Sequence, residues 1–275
     1  RPAAFAAGSG ALAAGMAAAD PEAGVVEVER RLFLTEAQRQ ALRSALPLRA
    51  ERQFWDVYFD GPQYPLGSRD WWLRQRGEDW ELKVPWAPGQ AVAAAQSYEE
   101  VTGAGAVVAR LAAAGLLQAG SEGRQGPDGA GLEEQLESAG LRPFARLMTQ
   151  RASLEAGPAA LEACGAQRLQ VDLDVVTYDA RLAEPGVLPA DGQKPFVIAE
   201  VEIVAPRSQE AVDAAAASLE AFLVWQGLEG APKAHSKLLE CLFRLRPSHL
   251  EALSHAGTLP PGPWSGQATA AGDHA

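Results

Sequence analysis

Alternation of apolar and ionisable side chains with a period of two, repeated in eight short segments, constrains this 275-residue chain more than any other feature. Successive side chains of a strand point to opposite faces, so residues two apart share one. In Val25–Leu34 (VVEVERRLFL), Glu27, Glu29 and Arg31 fall on one face and Val26, Val28, Arg30 and Leu32 on the other. Glu51–Asp60 sets Trp55, Val57 and Phe59 against Asp56, Tyr58 and Asp60. Trp71–Arg76 sets Trp72, Arg74 and Arg76 against Trp71, Leu73 and Gln75, and Trp80–Val84 sets Glu81 and Lys83 against Trp80, Leu82 and Val84. The pattern returns at Gln96–Val101 with Tyr98 and Glu100, and at Phe144–Glu155 with Arg151. Arg168–Tyr178 adds Asp172 and Asp174, and Phe196–Val204 adds Glu200 and Glu202. The expected fold class is α+β: an eight-stranded antiparallel β-barrel forming a tunnel, with helices packed outside.

The helices are marked by their own signals. Thr35-Glu36-Ala37-Gln38 is a capping box that starts a helix running to Leu46. Gly103–Leu117, Leu132–Gly140, Ser208–Gly227 and His235–Arg246 read as further helices, the last carrying Lys237. Gly77 to Asp79 is a hairpin signal. Gly103-Ala104-Gly105 lacks the third glycine of a dinucleotide loop and reads as a strand-to-helix turn. Residues 1–24 are Ala/Gly-rich without periodicity and read as disordered, or as an organellar targeting segment, since no acidic residue precedes Asp20. Residues 118–131 read as a flexible connection and 257–275 as a disordered tail, which leaves one domain over 25–250.

A net charge of −11 argues against a nucleic-acid surface, because phosphate backbones need clustered Lys and Arg. No run of about 18 bulky apolar residues exists, so no membrane-spanning helix is expected, and a cytoplasmic monomer is. Cys164 and Cys241 give neither a disulfide framework nor metal-ligand spacing and read as buried thiols. The HExxH, GxSxG and GxxxxGK[ST] patterns are absent.

If the apolar faces pack outward against the helices, the ionic faces point into the barrel. Like charges about 4 Å apart repel by about 4 kcal/mol at an intermediate dielectric, so Glu27, Glu29, Asp172, Glu200 and Glu202 would need cations. Carboxylates two apart on a strand suit a hard divalent cation such as Mg²⁺. Arg31, Arg74, Arg76, Lys83 and Arg151 lie on the same lining, and guanidinium forks match phosphate oxygens. An acidic wall for metal facing a basic wall for phosphate fits a polyphosphate–metal complex. The other arrangement compatible with the pattern is an open sheet whose charged faces are merely solvated.

Glu27-Val28-Glu29-Arg30-Arg31, DVYFD (56–60), WWLRQR (71–76), WELK (80–83), QRAS (150–153), VDLD (171–174), EVE (200–202) and Ser236-Lys237-Leu238 together resemble the CYTH proteins, the triphosphate tunnel metalloenzymes, and among these most the thiamine-triphosphatase type. The resemblance spans residues 25–250 in order. It implies an eight-stranded tunnel and Mg²⁺-dependent hydrolysis of a terminal phosphate, with Mn²⁺ as the other metal. Glu27, Glu29, Asp172, Glu200 and Glu202 would hold metal, and Asp174 matches a family acid. Arg31, Arg74, Arg76, Arg151 and Lys237 would hold the triphosphate, and Trp72 would stack on a thiamine ring. Lys83 and Tyr58 would be the catalytic pair, with Lys83 lowered in pKa by neighbouring cations. Within the family the alternatives are an inorganic triphosphatase and a non-catalytic polyphosphate-binding module. In bland terms, Trp72 caps an apolar edge, Lys237 is an exposed helical lysine and Tyr58 is a structural hydroxyl. The chain departs from the family's ExExK at Arg31, and from an arginine before DLD at Gln170, for which Arg168 is the expected substitute.

Overall fold

A computed structural model of the chain describes residues 25–85, 96–117, 130–187 and 194–259. The readings of residues 1–24 and 260–275, and most of the connection over 118–131, lie outside them. Eight strands, β1 (Val25–Leu32), β2 (Leu48–Asp60), β3 (Trp72–Arg76), β4 (Asp79–Pro85), β5 (Gln96–Thr102), β6 (Arg142–Glu155), β7 (Gln170–Tyr178) and β8 (Phe196–Pro206), close into a barrel in the order β1-β5-β4-β3-β2-β6-β7-β8. Every pairing is antiparallel.

The outward faces are greasy because helices cover them. Val26 and Val28 of β1, Val171 of β7 and Val201 of β8 pack with Leu42 of α1 (Glu36–Ala45) and with Leu219 and Phe222 of α5 (Gln209–Trp225). Leu73 of β3 and Leu82 of β4 pack with Val107 and Leu111 of α2 (Ala104–Ala113) and Leu136 of α3 (Ala130–Ser138). A third cluster joins Leu147, Val176 and Ile198 of β6 to β8 with Leu242 of α6 (Lys237–Leu245) and Leu253 of α7 (Pro247–His255). Each fully buried large side chain is worth about 1.5–3 kcal/mol, so three such clusters outside the wall drive the ionic faces inward.

Local chemistry fixes the connections. Thr35 and Gln38 close the capping box of α1. Gly103 takes a φ of +88° between β5 and α2, which a side chain would resist. After Leu32 the chain stays bonded to a distant segment: Phe33 N–H donates to the Pro232 carbonyl at 2.9 Å, and Ala234 N–H to that of Arg31 at 2.9 Å. This brings Ser236 to the barrel, where its hydroxyl accepts from Leu239 N–H and starts α6 with Lys237 as first residue.

Two helices were not expected from the sequence. α4 (Pro158–Cys164) is too short to show a period, but Pro158 opens it and Gly165, at φ +71°, ends it. α7 begins at Pro247, which closes one helix and serves as the first turn of the next. β6 extends back to Arg142 through Pro143, and β7 begins at Gln170, leaving Arg168 outside the sheet. Cys164 and Cys241 are free and buried. Among the described residues no helix is long and apolar enough to cross a membrane.

Candidate active site

Tunnel-facing side chains enclose a cavity of about 250 Å³. Glu27, Glu29, Arg31, Tyr58, Trp72, Arg74, Arg76, Lys83, Arg151, Glu200, Glu202 and Lys237 all line it, so the structure brings together the expected site residues except Asp172, and except the family acid Asp174. Asp172, 2 % exposed, does not reach the cavity surface; the Gln170 amide donates to its two oxygens at 3.1 Å and Arg151 pairs with it.

Register explains the convergence. Glu29 lies opposite Glu202 on β8, and Arg31 opposite Glu200. Across the barrel Tyr58 is paired with Arg74, Arg74 with Glu81, and Lys83 with both Trp72 and Glu100. The acidic wall is therefore β1, β7 and β8, and the basic wall β3 and β4.

The charges are unequally matched. Glu200 is met by Lys237 at 2.7 Å, Arg151 at 2.7 Å and Arg31 at 3.3 Å. Burial works against its carboxylate, yet Lys237, Arg151 and Arg31 outweigh burial and hold its pKa well below the usual range. Asp174, fully buried, takes a two-pronged contact from Arg151 at 2.7 and 2.6 Å and a third bond from Lys237 at 2.8 Å. Arg76 grips Asp56 at 2.7 and 3.0 Å, and Arg74 pairs with Glu81 at 2.6 Å. The Arg74 Nε is buried and makes no hydrogen bond to the described residues, so it retains a donor for an anion.

Glu202 is different. No cation lies within 4 Å of it among the described residues; burial, then the charges of Glu27, Glu29 and Asp172 against the pull of Lys83, push its pKa up to about 8. Such an excess of carboxylate oxygen fits a hard divalent cation held by Glu27, Glu29 and Glu202. Among the described residues no three acidic or histidine side chains are yet drawn into a ligand shell, because Glu27 and Glu29 are turned onto Lys83 and Arg31.

The CYTH domain family matches residues 26–224. The chain belongs to that family. Among curated proteins it resembles the thiamine-triphosphatase of Macaca fascicularis, 29% identical over 234 residues, which cover 84% of this chain and 90% of that one. The thiamine-triphosphatase of Homo sapiens is 29% identical over 238 residues with the same coverage. A solved structure of a protein from Pyrococcus horikoshii covers 78% of this CYTH chain and 97% of its own, with a TM-score of 0.50 and 16% identity, which shows a shared fold.

Two expectations for this CYTH chain change with the geometry, and one bland alternative, that of an exposed Lys237, falls. Lys83 is not surrounded by cations: burial pulls its pKa down, but Glu29, Glu27 and Glu100 outweigh that and raise it above the ordinary value. Arg168 does not substitute for an arginine at position 170; its side chain is 72% exposed and lies 3.6 Å from Glu155 outside the barrel, while Gln170 itself lines the cavity. Lys237 is 5% exposed rather than a surface lysine. No hydrogen bond joins Tyr58 to Lys83; burial, then Asp56, raises the Tyr58 hydroxyl above its usual pKa. Trp72 faces the cavity and also packs against the cluster under α6, its Nε1–H donating to Asp70 at 2.7 Å. Asp70 was not foreseen, because it precedes β3 in a left-handed turn (φ +58°) where strand alternation does not reach.

Proposed function

We propose that this CYTH protein is a Mg²⁺-dependent hydrolase that converts thiamine triphosphate to thiamine diphosphate and phosphate. The observation that carries the reading is one cavity in which Glu202, with no cation within 4 Å among the described residues, shares the lining with Arg74, whose Nε is buried without a hydrogen-bond partner. The kinship to thiamine-triphosphatases supports thiamine triphosphate as the substrate.

Trp72, Arg74 and Arg76 lie two residues apart along β3, about 7 Å per step, so a ring on Trp72 would extend its phosphates past both arginines. Arg31, Arg151 and Lys237 complete the cradle, and their buried pairing keeps the forks oriented before substrate arrives. Glu27, Glu29, Glu200 and Glu202, backed by Asp172, would hold Mg²⁺ or Mn²⁺. When bound, a divalent ion neutralises phosphate oxygens and cancels the carboxylate field that now keeps Lys83 protonated. Glu100, 2.7 Å from Lys83 and outside that metal set, would have to be drawn off as well; burial then lowers the ammonium pKa toward the range of a general base. Lys83 takes a proton from water as the water oxygen bonds to the terminal phosphorus and the bond to the bridging oxygen breaks. The Tyr58 hydroxyl, protonated and directly across from Arg74, orients that water.

The test is phosphate release from thiamine triphosphate, tripolyphosphate and ATP, with Mg²⁺ and with chelator. Preferential, chelator-sensitive release from thiamine triphosphate is the expected result. Preference for tripolyphosphate would make the protein an inorganic triphosphatase, and release from none would leave a binding module.

A further inference from the structure

Seven carboxylates line the cavity. Five have a cation within 4 Å: Glu27 and Glu100 share Lys83, Glu29 has Arg31, Glu81 has Arg74, and Glu200 has three partners. Among the described residues, Glu202 and Asp70 do not. Their surroundings separate their tasks. Glu202 sits among other carboxylates, the setting for a small multivalent cation. Asp70 sits among aromatic rings; no other carboxylate acts on it, and the field of the Arg31 guanidinium reaches it without an ion pair.

Asp70 accepts from the Trp72 Nε1–H at 2.7 Å through Oδ1, and the Tyr98 hydroxyl donates to both of its oxygens at 3.2 Å. These two bonds leave lone pairs free on Oδ2, a carboxylate oxygen typically accepting two donors. Trp72, Tyr98 and Asp70 all line the cavity, so an indole face, a phenol and an unpaired negative charge form one corner of it. A carboxylate there repels a bare polyphosphate, so it has a cost that only a positively charged or donor-bearing group offsets. Aromatic faces favour the same cations.

We infer that Asp70 is a specificity-determining residue: its carboxylate selects, at the Trp72 end of the tunnel, a substrate whose phosphate chain carries a cationic nitrogen heterocycle, and it disfavours inorganic polyphosphate. It also positions Trp72, since the indole N–H is tied to it. The polyphosphate end of the argument rests on the triphosphatase reading above. Burial pushes the Asp70 carboxyl up to about 6, which still leaves it charged at neutral pH.

The test is calorimetric binding of thiamine diphosphate and of pyrophosphate, with Mg²⁺, to the full chain and to Asp70→Asn. Asparagine tolerates the left-handed backbone and can still accept from the indole, so the substitution removes the charge and little else. A charge-assisted contact predicts that the affinity ratio of the two ligands falls about tenfold in D70N. A second measurement needs no variant: thiamine thiazolone diphosphate, whose ring is uncharged, should bind the unaltered protein about tenfold more weakly than thiamine diphosphate. An unchanged ratio in D70N, or equal binding of the charged and uncharged rings, overturns the inference. Neither ligand requires turnover, so a protein that releases no phosphate would sink the catalytic reading while leaving this result legible.

Discussion

Glu200 and Glu202 are neighbours on one face of β8, yet their regions of the tunnel are opposites. Around Glu200, three cations from β1, β6 and α6 converge on a single carboxylate. Around Glu202, the charges of Glu27, Glu29 and Asp172 outweigh the pull of Lys83, and no cation lies within 4 Å of Glu202 itself among the described residues. The first region is neutralised by the protein's own chain and can be assembled on folding. The second carries a charge excess that a ligand must relieve. A buried tunnel thus divides its ionisable groups into a braced frame and a receptive patch, and the division is made by what stands opposite each residue rather than by its type.

The largest expected effect comes from breaking the frame. Glu200→Gln leaves Lys237, almost fully buried, and Arg151 short of negative charge, and removing one partner of a buried pair costs about 3–5 kcal/mol. Denaturant titration of the metal-free protein should show that loss. A change under about 1 kcal/mol would mean that Asp174 and Asp172 suffice for the two cations.

Glu202→Gln should do the reverse to stability. With its folded pKa near 8 against an ordinary 4.5, native Glu202 keeps a proton that the unfolded chain has released. Unfolding therefore sheds protons between those values, and metal-free stability falls as pH rises from about 4.5 through about 8. In E202Q this slope should flatten, while Mg²⁺-supported turnover falls about 10–100-fold with the loss of an oxygen ligand. Thermal melts across that pH range with chelator present measure the first claim; an unchanged slope would place the charge excess elsewhere.

How much of this was legible beforehand depends on distance along the chain. The barrel was readable because alternation is a local signal: Glu81 and Lys83 between Trp80, Leu82 and Val84 state which side of β4 faces inward, and the helices did bury the other. The EVE motif at 200–202 presents two equal glutamates, and nothing nearby in sequence says that Lys237 and Arg151 meet only the first. Lys83 was misjudged for the same reason, since its field comes from Glu27 and Glu29 on β1 and Glu100 on β5, all remote in sequence. Asp70 stayed hidden because turn geometry, rather than strand period, aims it at the cavity.

A smaller effect is expected at the aromatic end of the receptive region. Trp72→Ala removes the face on which a cationic ring would rest, an interaction worth about 0.5–2 kcal/mol. The Michaelis constant for thiamine triphosphate should rise about tenfold, while that for tripolyphosphate, which has no ring, should hardly move. Equal losses on both substrates would assign Trp72 to packing against the cluster under α6.

The smallest effect separates residues 168 and 170. Both precede the VDLD segment on one face by alternation, but β7 starts at Gln170, and the chain before it has left the wall. Arg168 consequently spends its charge on an exposed pairing with Glu155, of a kind worth about 0–1 kcal/mol. Arg168→Ala should leave stability and both substrates' kinetics within about twofold of the parent protein. Gln170→Ala, by contrast, strips Asp172 of its amide donors, leaving Arg151 as the partner that must balance it. That variant should show a measurable shift in Mg²⁺ affinity that Arg168→Ala lacks, read by titrating activity against the metal. If instead the arginine variant weakened triphosphate binding, the chain before β7 would have to swing inward, and the boundary of the receptive patch would lie one turn further along than the register places it.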